Sequence, residues 1–103
     1  MSVLTEIAMF PLNQGASVST YVSKVIDIIR KSGVPYKLNS MGTVFETETL
    51  REAHALIEAG YATLEPDCER VYITTKIDIK KSSSNNINSK LASVESKIGT
   101  VDK

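Results

Sequence analysis

The chain has 103 residues, 42% of them hydrophobic, and its 12 basic side chains balance 12 acidic ones. That length supports one domain with a thin core, and the cancelled charge excludes a global field that would draw in nucleic acid or an anionic membrane. A single cysteine, Cys68, excludes an internal disulfide framework and a cysteine-cluster metal site, and fits a reducing cytoplasm.

The amino-terminal MSVLTEIAMFPL has no basic stretch before its apolar run and contains Glu6, so it does not read as a signal peptide. Apolar runs stay well short of a membrane span, and a soluble, cytoplasmic protein is expected. From Ser2 to Leu12, Val3, Thr5, Ile7 and Met9 alternate with Leu4, Glu6, Ala8 and Phe10, which predicts a strand with two rather apolar faces ending at Pro11. A strand covered on both sides reads this way, and Glu6 in its middle is the residue to explain.

Gly15 then marks a loop and Ser17 a helix cap. Val18, Tyr21, Val22, Val25, Ile28 and Ile29 recur at helical spacing as far as Lys31 and Gly33. Ser17, Ser19 and Thr20 cluster at the helix start, where they cap it or hold an anion. The segment 35–47, PYKLNSMGTVFET, reads as two extended pieces joined at Gly42 by a tight turn or bulge. Thr49 caps a second helix whose inward stripe is Leu50, Ala53, Ile57, Tyr61 and Leu64, stopped by Pro66. His54 stands beside the stripe with no partner ligand at i+4, as a surface histidine does.

The last strand, ERVYITTKIDIKK, sets Val71, Ile73, Thr75, Ile77 and Ile79 on one face and Arg70, Tyr72, Thr74, Lys76 and Asp78 on the other. Residues 82–103 follow as a polar linker and a third helix with the stripe Ile87, Leu91, Val94 and Ile98, predicted to pack on its own domain, residues 1–81, or on a neighbouring subunit. The order β-α-β-β-α-β predicts an α+β, ferredoxin-like split βαβ sandwich with antiparallel sheet order 4-1-3-2 and an extra carboxyl-terminal helix. Both main helices then lie on one side of the sheet.

Function is expected on the open side. Glu6, Glu46, Tyr72 and Lys76 fall on it, with Asn39, Phe10 and Met41 offering amide, aromatic and thioether surface. Two carboxylates among hydroxyls and aromatic edges suit a small cationic or amino-heterocyclic ligand. The competing reading makes the same face a subunit interface, with Glu6 and Glu46 paired to Arg70 and Lys76. An acylphosphatase-type enzyme would need a basic phosphate loop after the first strand, where NQGAS has none. An RNA-binding module would need more exposed aromatics and a basic surround.

The segments GASVSTYV (15–22), SGVPY (32–36), MGTVFE (41–46) and RVYITTKIDI (70–79), in this order and spacing, resemble the YkoF-like thiamine-binding family of small proteins; the likeness extends to SKLASVESKIG at 89–99. The resemblance implies a ferredoxin-like fold, association into homodimers or homotetramers through the sheets, and non-catalytic binding of thiamine or related pyrimidine compounds as ligand rather than cofactor, with no metal. It carries Ser17, Ser19, Met41, Thr43 and Glu46 into the expected site beside Glu6, Phe10, Asn39, Tyr72 and Lys76. The chain departs from the pattern at Asn13, Thr47 and Lys80, none of which removes a carboxylate or an aromatic ring.

Overall fold

The computed structural model describes residues 1–13, 15 and 18–103. Its elements are β1 (Ser2–Pro11), α1 (Val18–Ser32), β2 (Tyr36–Leu38), β3 (Thr43–Thr47), α2 (Leu50–Leu64), β4 (Val71–Lys80) and α3 (Asn86–Ile98). The sheet is antiparallel with the order β2-β3-β1-β4. This is the expected ferredoxin-like arrangement read in reverse.

The two-sided strand is central, as its apolar faces require. Val3, Ile7 and Met9 of β1 and Phe45 of β3 pack against Val25 and Ile29 of α1 and Ala53 and Leu64 of α2. The register pairs Thr5 with Phe45 and Ile77, so the helix side of the sheet is filled by the residues the alternation assigned to it. On α2 the buried side differs from the expected stripe: Leu50 and Tyr61 are both 37% exposed, while Gly60 is buried. A Cβ on Gly60 would lie 3.0 Å from Val25 Cγ1, so the two helices cross where α2 has no side chain. A glycine gives no apolar signal, which is why periodicity placed the stripe slightly off.

Thr49 caps α2 as expected: its Oγ1 accepts from Glu52 N–H at 3.1 Å and donates to the Glu52 carboxylate at 2.9 Å. Ser17, the expected cap of α1, lies outside the described residues. The hairpin turn spans residues 39–42 and is closed by Asn39 N–H donating to the Gly42 carbonyl at 2.9 Å. Asn39 and Met41 therefore stand in the turn, not on a strand. Gly42 is not in the left-handed region; a Cβ there would sit 3.2 Å from the Ile7 carbonyl oxygen, so the glycine lets the turn press against β1.

One core atom lacks a partner among the described residues: Thr5 Oγ1 is buried and makes no hydrogen bond. A desolvated, unpaired hydroxyl is a standing cost. Thr5→Val is expected to stabilise the fold by about 1 kcal/mol, raising the melting midpoint by roughly 4–8 °C. A lower midpoint in that variant would show that the hydroxyl has a partner in solution.

Candidate functional site

The strand register fixes what shares the open face. Across β1 and β4, Leu4 stands opposite Asp78, Glu6 opposite Lys76, Ala8 opposite Thr74 and Phe10 opposite Tyr72; across β1 and β3, Leu4 faces Glu46 and Glu6 faces Val44. Glu6, Phe10, Glu46, Tyr72 and Lys76 thus project to the same side. They do not form one cluster, because α3 divides them.

Glu46 anchors that helix. Its Oε2 accepts from the Ser2 hydroxyl at 2.5 Å and from Asn86 N–H at 2.9 Å, while Oε1 accepts from Ile87 N–H at 3.2 Å. Asn85, the residue before α3, adopts a left-handed conformation and supplies no capping side chain; the sheet supplies the cap instead. A carboxylate at the positive end of a helix, satisfying its free N–H groups, is favourable on both counts. Burial pushes the Glu46 carboxyl up, but the bonds from Ser2, Asn86 and Ile87 outweigh it and hold it below the ordinary glutamate range. Further along α3, Lys90 meets Asp78 at 2.6 Å. The helix therefore lies over the Ser2, Leu4, Glu46 and Asp78 end of its own sheet, leaving Glu6, Tyr72, Thr74 and Lys76 exposed at the other.

At that uncovered end the sheet, α1 and the β2–β3 turn enclose a chamber of about 280 Å³. Phe10, Asn39, Met41 and Thr43 line it, together with Ile7, Met9, Val22 and Gly42. Among the described residues none of its lining side chains is ionisable. Phe10 lies against Tyr72 with ring centroids 5.7 Å apart and planes tilted 32°, so the half-exposed Tyr72 extends the aromatic wall onto the open face. Met41, 90% exposed on the turn, places a polarisable thioether at the mouth. Ser19 lines a neighbouring groove along α1 rather than the chamber.

Glu6 stands beside the chamber without lining it. Its Cγ would be 3.6 Å from a Cβ on Gly42, which does line it. Although Lys76 is its cross-strand neighbour, Glu6 forms no ion pair among the described residues. An unpaired carboxylate thus flanks a neutral, partly aromatic cavity, a combination that suits a flat heterocycle joined to a cationic group.

Of the expected residues, Phe10, Asn39, Met41 and Thr43 meet in the chamber, Glu6 and Tyr72 border it, Lys76 lies beyond Glu6, Glu46 is engaged by α3, and Ser17 lies outside the described residues. Sequence reasoning missed Ile7, Met9 and Val22 as lining residues, because an apolar position beside a cavity has the same periodicity as one in a filled core. Among the described residues no group of His, Cys, Asp and Glu is arranged to hold a metal, and no helix is long and apolar enough to cross a membrane.

Comparison with known proteins matches residues 5–95 to the family described as thiamine-binding protein. A UPF0045 protein of Methanocaldococcus jannaschii is 37% identical over 92 residues, covering 89% of this chain and 91% of its own length. One of Methanothermobacter thermautotrophicus is 33% identical, covering 93% of this chain and 99% of the relative. A crystal structure of a Methanocaldococcus jannaschii protein superposes with a TM-score of 0.78 at 38% identity, covering 90% of this chain and 95% of that one. One from Thermotoga maritima, provisionally assigned to thiamine biosynthesis or salvage, shares the fold with a TM-score of 0.80 at 20% identity, covering 91% and 99%. With the family match spanning the first strand, the first helix and the hairpin that line the chamber, the chain belongs to the thiamine-binding protein family.

Proposed function

We propose that the protein binds thiamine or a related pyrimidine or thiazole compound without turning it over, in the cytoplasm, for sensing, storage or delivery. The aminopyrimidine ring enters the chamber, where Asn39 offers amide donor and acceptor groups and Phe10 and Met41 give polarisable surface. A thiazolium then emerges beside Gly42 onto the open face, where Glu6 balances its fixed charge and Tyr72 flanks it. The observation that carries this reading is the neutral chamber with an unpaired carboxylate at its border. Among the described residues the walls carry apolar, amide and hydroxyl groups, which suit binding of a neutral ring.

The test is to titrate isotope-labelled protein with thiamine and follow the backbone amides. Saturable shifts at 7–10 and 38–43 are expected. Shifts confined to β4, with the turn unmoved, would move the ligand out of the chamber and onto the sheet face.

A second reading makes the uncovered face a subunit interface of a homodimer or homotetramer. It is favoured by β4, a 10-residue edge strand whose Tyr72 is 50% exposed on that face, beside the exposed Thr74 and Lys76. The two readings join if a second subunit closes over Glu6 and Tyr72 once the ligand is seated.

A further inference from the structure

Leu38 borders a second space next to the chamber. Beside it a groove of about 290 Å³ runs along α1, and Val22, Ile26 and Leu38 line both compartments. Ligand sites for drug-sized molecules usually occupy about 300–1,000 Å³; either compartment alone falls at the lower edge, and the two together lie within the range. Ile26 and Arg30, four residues apart on one helix face, carry the groove outward by about 6 Å, one helical turn.

The chemistry changes along that turn. Among the described residues the inner chamber has no ionisable lining, whereas the groove is bounded by Asp27 and Arg30. Asp27 pairs with the Arg30 guanidinium and, at 2.9 Å, with the Lys31 ammonium. Two cations around one carboxylate leave a net positive charge at the groove's outer end. Only Nη2 of Arg30 is recorded in that pair, and the planar fork of a guanidinium suits two parallel bonds to phosphate oxygens. The carboxyl end of α1 opposes an anion there, so the two cations must outweigh the helix dipole.

We propose that this groove is a subsite for an anionic tail, and that the chamber and groove together select a phosphate ester of a neutral amino-heterocycle, with the ring inside and the phosphate on Arg30. The proposal rests on the chamber being the ligand site and deepens that reading by naming a substrate class. A cationic substituent leaves the chamber toward Glu6, and an anionic one leaves toward Arg30. One ring pocket then serves two exits of opposite charge.

Calorimetric titration of the full chain with hydroxymethylpyrimidine and with its phosphate ester tests this, with inorganic phosphate as control. The ester is expected to bind about fivefold or more tightly than the alcohol at low ionic strength, and inorganic phosphate not measurably. In Arg30→Gln the preference is expected to vanish while affinity for the alcohol stays unchanged; Arg30→Lys retains part of it. Equal affinity for alcohol and ester, or a preference that survives Arg30→Gln, would overturn the subsite and leave the chamber standing. Failure of both pyrimidines to bind a folded protein would overturn the chamber and the subsite with it.

Discussion

Replacing Glu46 with alanine is expected to release α3 while the β-α-β-β-α-β core stays folded. The substitution removes a carboxylate that receives the first free N–H groups of the helix and the Ser2 hydroxyl. Charge-assisted bonds of this kind contribute roughly 1.5–3 kcal/mol each and do not add fully, so the expected loss is about 2–4 kcal/mol. Apart from Ile87, buried beside the lost cap, the remaining attachments are weaker: the Lys90–Asp78 pair is more than half exposed on both sides, and Val94 and Ile98 are 48% and 72% exposed. A 13-residue helix without its packing surface is marginal in water, so α3 should melt on release. Hydrogen exchange of 86–98 should accelerate towards the unprotected rate, with β1 and β3 still protected. Unchanged protection of α3 in Glu46→Ala would show that its apolar face alone holds it.

The same contact fixes a direction with pH. The Glu46 carboxyl lies below its ordinary value in the folded protein, so its contribution is fully present above the unfolded glutamate pKa of about 4.3. It is lost as pH falls through the lower folded value. Asp78, also held low by Lys90, adds its own weakening of the α3 contact under acid. Acid should therefore loosen α3 in the native chain, whereas in Glu46→Gln the helix should already be loosened at neutral pH.

At the other end of the sheet, Glu6→Gln is expected to weaken thiamine binding about tenfold, roughly 1–2 kcal/mol, and to leave hydroxymethylpyrimidine unaffected. The loss is set below that of a buried charged contact because Glu6 is exposed and screened by water. The contrast between the two ligands carries the argument, since only thiamine has the fixed positive charge. Equal losses for both would mean that the substitution disturbs the turn at Gly42, and that Glu6 does not neutralise the ligand.

Much of this architecture was legible because alternation is a strong signal in long strands. β1 and β4 separate their faces residue by residue as the pattern required, and Glu6, Tyr72 and Lys76 fell together on that ground alone. Glu46 was placed on the correct face but its neighbour was not foreseen: that α3 would take its cap from the sheet depends on a contact 40 residues away in sequence. The chamber was half legible. Phe10 and Met41 were singled out for an open face and Thr43 on the family resemblance; Phe10 does project to that face, and all three border the space that α1 and the turn leave open at the end of the core. Periodicity reports which side of an element is apolar, not whether the space beside it is filled.

Calorimetric titration of ligand-stripped protein with thiamine tests most directly whether the chamber and Glu6 form a thiamine site. Saturable binding near one ligand per chain is expected, reduced about tenfold in Glu6→Gln. No heat of binding from a protein shown to be folded by circular dichroism would contradict it, and would leave the uncovered sheet face as a surface for other subunits.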